Sequence, residues 1–127
     1  MKITHVAIWT NNLERLQAFY CHYFGGTSNE KYTNPVKKFS SYFLTFEHGS
    51  CSLELMNKPD LVIPESNVLT GLAHFAFSVG SKEQVDLFTS QLREAGYTII
   101  GEPRWTGDGF YESAITDPDG NIVEITI

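Results

Sequence analysis

Hydrophobic and polar residues alternate in four short segments of the chain, and this alternation predicts four β-strands. In the first segment Val6 and Ile8 occupy one face, while His5, Ala7 and Trp9 occupy the other. The same alternation places hydrophobic residues together at Leu53 and Leu55, at Phe75, Phe77 and Val79, and at Val123, Ile125 and Ile127. Each strand therefore has one face suited to a core and one face free for polar chemistry.

Two further segments carry hydrophobic residues at helical spacing. The first helix is expected to begin near Asn11 and Asn12, where Asn11 and Glu14 have capping-box spacing, and to stop at Gly25. The second is expected to run from Ser81 to Gly96. The helices would cover the hydrophobic faces of the strands.

The order of these elements repeats within the 127 residues. His5 and His74 are 69 positions apart, and Glu54 and Glu124 are 70 apart, in matching places of two halves. We therefore expect a single domain of two modules, at about 1–57 and 72–127, joined by a linker at about 58–71 that contains two Pro. RWTGDG at 104–109 predicts a loop, and DPDG at 117–120 predicts a turn.

His5, Glu54, His74 and Glu124 are the candidate metal ligands. Each lies on the polar face of its segment, opposite the hydrophobic residues. Two imidazoles and two carboxylates suit Zn, Ni, Co, Fe or Mn, whereas a closed structural zinc site normally uses Cys and His. A single His or Glu on a strand is more often a solvated side chain; the matched set of four favours a shared site. His22 and His48 lie outside this pattern and are interpreted as surface residues.

The composition narrows the classes of partner. The formal net charge is −6 with no basic cluster, which argues against nucleic acid or an acidic membrane surface as a partner. Two Cys are too few for a disulfide framework, and no apolar stretch approaches the roughly 18 residues of a membrane helix. With no signal-peptide pattern at the start, a cytoplasmic location is expected.

Three segments resemble the vicinal oxygen chelate superfamily, which includes glyoxalase I and the fosfomycin-resistance and bleomycin-resistance proteins. They are THVAIWTNNLERLQAFYCHYFGG, LAHFAFSV and DPDGNIVEI. The resemblance covers nearly the whole chain and implies an α+β fold, in which paired βαβββ modules form an incomplete barrel around a metal cleft. It also implies a homodimer, often with sites built from both subunits.

Carried over by position, the resemblance makes His5, Glu54, His74 and Glu124 the four metal ligands, a set closest to that of glyoxalase I. It implies a lyase or isomerase that acts on a small substrate with vicinal oxygens, stabilises an enediolate, and uses Glu54 or Glu124 as general base. Glyoxalase I typically carries Arg and Asn, for glutathione, where this chain has Trp9 and Lys58. These two departures count against lactoylglutathione as the substrate and leave the four candidate metal ligands intact.

Four aromatic residues are candidates for the substrate pocket: Trp9, Tyr42, Trp105 and Tyr111. The same residues suit a core or a subunit interface. Arg104 and Lys37-Lys38 could attract an anionic substrate, although such charges are usually only solvated. Two other functions compete with the lyase: a metal-dependent dioxygenase or thiol transferase, and a non-catalytic drug-binding or metabolite-binding protein of the bleomycin-resistance type.

Overall fold

A computed structural model describes residues 1–62 and 70–127 of the chain. The chain divides into two units, Met1–Glu65 and Ser66–Ile127, and each is described by itself. Part of the predicted linker, residues 63–69, lies outside the described residues. Within the described ranges, no helix combines the length and apolar character needed to cross a membrane.

The first unit contains one helix and one mixed sheet among its described residues. Its elements are β1 (His5–Trp9), α1 (Leu13–Phe24), β2 (Thr27–Ser28), β3 (Tyr32–Asn34), β4 (Phe39–Thr45) and β5 (Ser52–Asn57). The strand order is β1-β5-β4-β2, with β3 also pairing with β4. β1 and β5 are parallel, whereas β4 runs antiparallel to β5. The first and last strands of the unit are therefore neighbours.

The second unit repeats this plan. Its elements are β6 (Phe75–Ser78), α2 (Lys82–Glu94), β7 (Ile99–Trp105), β8 (Tyr111–Thr116) and β9 (Ile122–Thr126). The strand order is β6-β9-β8-β7, with β6 and β9 parallel and the other pairs antiparallel. The predicted α+β class with βαβββ modules is confirmed, and neither sheet closes on itself.

One face of each sheet is covered by the unit's helix, and this is the face that the alternation predicted. In the first unit the covered core is made of Leu13, Leu16, Phe19, Tyr20, Leu44, Leu53 and Leu55. In the second it is made of Val85, Leu92, Ile115, Val123 and Ile125. Burial of these side chains drives the helix onto the sheet and leaves the other face for function.

The start of α1 differs from the prediction. Asn12, not Asn11, caps the helix, and its side-chain oxygen accepts a hydrogen bond from the Arg15 backbone N–H at 3.0 Å. The third helical residue is then Arg15, so the expected capping box with Glu14 is wrong. Glu14 instead pairs with Lys31, which holds the pKa of the Glu14 carboxyl below its ordinary value.

The remaining boundaries follow the predicted signals more closely. Gly25 ends α1 with a φ of 67°, a conformation that favours glycine. Ser81 caps α2, since its hydroxyl accepts a hydrogen bond from the Gln84 N–H at 3.3 Å. The loop predicted at 104–109 is shorter than expected, because Arg104 and Trp105 belong to β7.

Candidate metal centre

The first unit brings His5 and Glu54 together on the sheet face that α1 does not cover. Ala7 is the register partner of Glu54, and His5 lies two residues before Ala7 on the same face of β1. The Nε2 atom of His5 is 3.9 Å from Oε2 of Glu54. The His5 side chain is 44% exposed and that of Glu54 12%. The carboxylate therefore lies in a recess below a more accessible imidazole.

The second unit builds the same arrangement from His74 and Glu124. Ala76 is the register partner of Glu124, so the His again lies two residues before that partner. Nε2 of His74 is 3.1 Å from Oε2 of Glu124, and the two side chains are 45% and 20% exposed. The sequence repeat is therefore also a repeat of local geometry, down to which ring nitrogen faces the carboxylate.

The turn before β9 holds Glu124 in this place. The Asp117 carboxylate accepts hydrogen bonds from the backbone N–H groups of Asp119 and Asn121, each at 2.9 Å, and from the Asn121 side chain at 2.9 Å. Gly120 completes the turn at a φ of 87°. Asp117 is buried, so this network sets where β9 starts and which of its residues face away from α2.

The His74–Glu124 pair has the separation expected of two ligands on one ion. Two atoms about 2.1 Å from a divalent ion are ~3.0 Å apart at a right angle and ~3.4 Å apart at a tetrahedral angle. The 3.1 Å of the His74–Glu124 pair lies in this range, whereas the 3.9 Å of the His5–Glu54 pair is longer. Across 1–62 and 70–127, no group of three or more His, Cys, Asp or Glu side chains is placed so that it could hold a metal. Each pair therefore supplies at most half of a ligand set.

The surroundings of His5 agree with a ligand role. Its Nδ1 atom is 3.2 Å from the Thr4 hydroxyl. A tautomer with the proton on Nδ1 donates to that hydroxyl and leaves the Nε2 lone pair directed at Glu54. The Phe43 ring packs edge-on against the imidazole, with centroids 5.3 Å apart, and Phe43 is the register partner of Glu54. The sequence interpretation did not identify Phe43; its register against Glu54 reveals it.

Trp9 lies on the same sheet face as His5, as predicted from the alternation. It is 47% exposed, and Nζ of Lys58 lies 4.7 Å from the centroid of its ring. The two positions at which the chain departs from the glyoxalase I pattern are thus in contact with each other. Asn57, next to Lys58, is engaged elsewhere, since its amide donates to the Thr10 carbonyl at 2.7 Å.

Tyr42 lies on the opposite face of its sheet from Glu54. Its register partner is Leu55, a fully buried residue of the face that α1 covers. The neighbouring residue, Phe43, occupies the face of Glu54 instead. The proposed pocket therefore does not include Tyr42.

Tyr111 and Trp105 also face the helix of their unit. Tyr111 is buried, and its hydroxyl donates to Oδ1 of Asp86 in α2 at 2.7 Å. Trp105 is the register partner of Tyr111 and packs edge-on against it at 5.2 Å. Hydrogen bonds from Lys82 and Tyr111 hold the pKa of Asp86 below its ordinary value. Tyr111 joins the sheet to the helix, and Trp105, which is 61% exposed, packs on Tyr111; both lie on the sheet face opposite Glu124, so the proposed pocket does not include them.

The remaining histidines behave as surface residues. The predicted exposure of His22 and His48 is confirmed. His48 lies 3.7 Å from Glu47, and both side chains are about nine-tenths exposed. This third His–Glu contact has no recessed carboxylate, which sets it apart from the two strand pairs.

Comparison with known proteins places the chain among relatives with this architecture. The family model described as Glyoxalase/Bleomycin resistance protein/Dioxygenase superfamily matches residues 2–125. Catechol-2,3-dioxygenase of Bacillus subtilis is 26% identical over 123 residues, which are 97% of this chain and 40% of that protein. The chain thus spans less than half the length of the dioxygenase.

Solved structures show the same fold. A glyoxalase family protein from Enterococcus faecalis has a TM-score of 0.80 and 28% identity, covering 99% of this chain and 97% of its own. The trypanothione-dependent glyoxalase I of Leishmania major has a TM-score of 0.79 at 24% identity, covering 99% and 86% of the two chains. At that identity the second likeness establishes the fold alone.

Proposed function

We propose, since the chain belongs to the Glyoxalase/Bleomycin resistance protein/Dioxygenase superfamily, that it is a divalent-metal-dependent lyase or isomerase of the glyoxalase I type. Its substrate would be a small molecule with two adjacent oxygens. The observation that carries this proposal is the repeated contact between a His Nε2 and a Glu Oε2, on the sheet face opposite the helix in each unit.

His5, Glu54, His74 and Glu124 would hold the ion, which would be Ni, Zn, Co, Fe or Mn. Neutral imidazole and carboxylate are ligands that these ions share, and both carboxylates are only partly exposed. Such an ion, when bound, polarises adjacent oxygens of a substrate and stabilises the negative charge that develops on them. As the family resemblance implies, we expect a homodimer.

Glu54 and Glu124 are the proposed catalytic residues. A carboxylate on this face can accept a proton from the carbon beside a carbonyl and return it to the neighbouring carbon, which isomerises the substrate without loss of atoms. Glu54 is the more recessed of the two, and Phe43 lies directly beside it in the sheet. Limited access of water at that position favours proton return to the substrate over exchange with solvent.

Trp9 and Lys58 support a substrate other than a glutathione adduct. The contact between them places an aromatic ring and one ammonium group where glyoxalase I would present Arg and Asn. An indole has no second donor with which to grip a carboxylate in the way that a guanidinium does. The proposed pocket is therefore flatter and more apolar on the side of Trp9.

A metal-dependent dioxygenase is the second candidate function. The 26% identity with catechol-2,3-dioxygenase of Bacillus subtilis favours it. Oxygenases of the two-His-one-carboxylate type leave positions open for oxygen and substrate, and a fourth protein ligand would occupy one of them. Glu54 therefore discriminates between the two functions: a lyase needs it, whereas an oxygenase would retain its metal in Glu54→Gln.

The experiment that tests the proposal is elemental analysis of protein stripped with chelator and refilled with Ni, Zn, Co, Fe(II) or Mn. We expect about one ion per chain. Loss of a second-sphere partner already weakens metal binding about 10–100-fold, so Glu124→Gln should weaken it by more than ~100-fold. Glu47→Gln is the matched control, because Glu47 also contacts a His but both side chains are exposed.

The variants also assign the function. A Glu54→Gln protein that keeps its metal but loses turnover of vicinal-oxygen substrates identifies Glu54 as the base. Metal uptake that is indifferent to both Glu54→Gln and Glu124→Gln contradicts the proposal and favours the third function, a non-catalytic binding protein. Size-exclusion chromatography with light scattering, run on the same samples, tests the homodimer.

A further inference from the structure

Arg104 and Glu112 lie on the same face of the second sheet as Glu124. Ala114 is the register partner of Glu124, and Glu112 lies two residues before Ala114 on the same side of β8. Arg104 is in turn the register partner of Glu112, and its Nη2 atom donates to Oε1 of that carboxylate at 3.3 Å. The Arg104 guanidinium therefore lies on the same sheet face as the His74–Glu124 pair. We call the face of each sheet that its helix does not cover the functional face.

The floor between Glu124 and Arg104 carries almost no side-chain volume. Gly101 is the register partner of Ala114, so the row from Glu124 runs across Ala114 to Gly101. A Cβ added at Gly101 would lie 3.1 Å from Nη1 of Arg104 and 3.3 Å from Cβ of Ala114. The guanidinium thus bends back over Gly101 and reaches the row that contains Glu124.

This arrangement defines a shallow trough with a carboxylate at one end and a guanidinium at the other. Gly101 is two strands from Glu124, which corresponds to roughly 9–10 Å at the usual strand spacing. Irregular register on both sides of Gly101 in β7 accompanies the bend of Arg104 toward the trough. A small molecule lying over Ala114, which is 9% exposed, would have Glu124 on one side and the guanidinium over Gly101 on the other.

Arg104 is held in place by Glu112, but this contact does not use all the N–H donors of its guanidinium. Glu112 is only 13% exposed, whereas the Arg104 side chain is 54% exposed. A guanidinium has five N–H donors, and the contact with Glu112 uses one of its terminal nitrogens. The other Arg–Glu contact of this unit, Arg93 with Glu102, joins two well-exposed side chains, one of them in α2. Of these two arginines, Arg104 is the one that combines a recessed partner with a place on the functional face.

We infer that Arg104 anchors a carboxylate of the substrate, at the far end of the trough from the His74–Glu124 pair. The inference rests on the proposed function and specifies its substrate class: an acid whose vicinal oxygens and carboxylate lie at opposite ends of a short, flat spacer. Glu112 is a positioning residue that orients the guanidinium. A planar guanidinium binds carboxylate through two parallel hydrogen bonds, which gives direction as well as affinity.

Two hydroxamates that differ in one group test this assignment by calorimetric titration of the Ni²⁺-loaded protein. Both para-carboxybenzohydroxamate and para-carbamoylbenzohydroxamate present vicinal oxygens, but only the first carries an anion at the far end. A charge-assisted hydrogen bond contributes ~1.5–3 kcal/mol, so wild type should bind the carboxylate about 10–100-fold more tightly than the amide. Arg104→Gln should abolish this preference, mainly by weakening binding of the carboxylate.

Arg93→Gln is the control, since it removes the same charge from α2 and should keep the full preference. Glu112→Gln should reduce the preference without abolishing it, because the guanidinium remains but is less well oriented. Equal affinity of wild type for the two hydroxamates, or an equal loss in Arg93→Gln and Arg104→Gln, overturns the inference while leaving the metal site standing. If neither hydroxamate binds and the protein takes up no metal, both the proposed function and this inference are overturned.

Discussion

The hydroxyl of Tyr111 donates a hydrogen bond to the Asp86 carboxylate across 2.7 Å, joining β8 to α2. Lys82, one turn earlier in the helix, contacts the other carboxylate oxygen at 2.7 Å and lies 4.6 Å from the centroid of the Tyr111 ring. One acidic side chain thus connects the helix to the sheet. Its protonation state should be visible in the stability of the fold.

Asp86→Asn should destabilise the protein at neutral pH and have no effect at strongly acidic pH. The hydrogen bonds from Lys82 and Tyr111 lower the pKa of Asp86 in the folded state below its ordinary value of 3.8. Stabilisation from a lowered pKa is fully present above the unfolded-state value and is lost as the pH falls through the folded-state value. The difference in urea midpoint between wild type and variant, followed from neutral pH downward, measures it.

Asp108→Asn provides the control for this titration, because it removes the same charge from the exposed loop between β7 and β8. It should give a midpoint close to that of wild type at every pH. A difference between wild type and Asp86→Asn that persists unchanged at strongly acidic pH would show that the carboxylate charge is not what stabilises the contact.

Asn12→Ala should destabilise the protein by about 1 kcal/mol, the usual effect of removing a helix N-cap. The substitution leaves the Arg15 N–H without the side-chain oxygen that lies 3.0 Å away. Asn11→Ala, at the adjacent exposed position, should change the free energy of unfolding by less than ~0.5 kcal/mol. Urea denaturation of the two variants compares them directly; a larger effect at Asn11 would contradict the observed cap.

The error at this cap shows what local spacing can resolve. Asn11 and Asn12 are both good capping residues, and only Asn11 has an acidic residue three positions later. The choice is settled by the burial of Leu13 and Leu16, which fixes how the helix is rotated on the sheet. Tertiary packing decides between two caps that the sequence alone leaves nearly equal.

The sheet face of each candidate His and Glu, in contrast, was predictable from the sequence. Successive side chains of a strand point to alternate faces of the sheet, so the face of a residue follows from its local sequence. The alternation around Leu53 and Leu55 therefore placed Glu54 on the functional face without knowledge of the partner strand. The alternation does not reveal that β1 and β5 are neighbours, which their parallel register shows.

Trp9 lies on the sheet face expected for it, whereas Tyr42, Trp105 and Tyr111 lie on the opposite face of their sheets from Glu54 and Glu124, where pairing with neighbouring strands places them. β4 places buried residues at Ser41 and Leu44, three positions apart, so its burial does not follow a simple alternation that would reveal the face of Tyr42. The register of β4 against β5 assigns Phe43, not Tyr42, to the face of Glu54. Similarly, the shifts in β7 bring Arg104 opposite Glu112, which spacing along the chain does not reveal.

Replacing Trp9 with Arg and Lys58 with Asn should introduce affinity for a glutathione derivative that the wild-type protein binds poorly. In the wild-type protein the Lys58 ammonium lies over the Trp9 ring, and we propose that neither residue grips a glutathione carboxylate. A new charge-assisted contact would contribute ~1.5–3 kcal/mol, so the double variant should bind S-hexylglutathione about 10–100-fold more tightly. Trp9→Gln with Lys58→Asn, which removes the same ring without adding a guanidinium, should bind as weakly as wild type. Titration calorimetry on Ni²⁺-loaded samples measures the affinity of all three proteins. Strong binding by the wild-type protein would show that Trp9 and Lys58 are compatible with glutathione. The substrate class proposed for this side of the pocket would then be wrong.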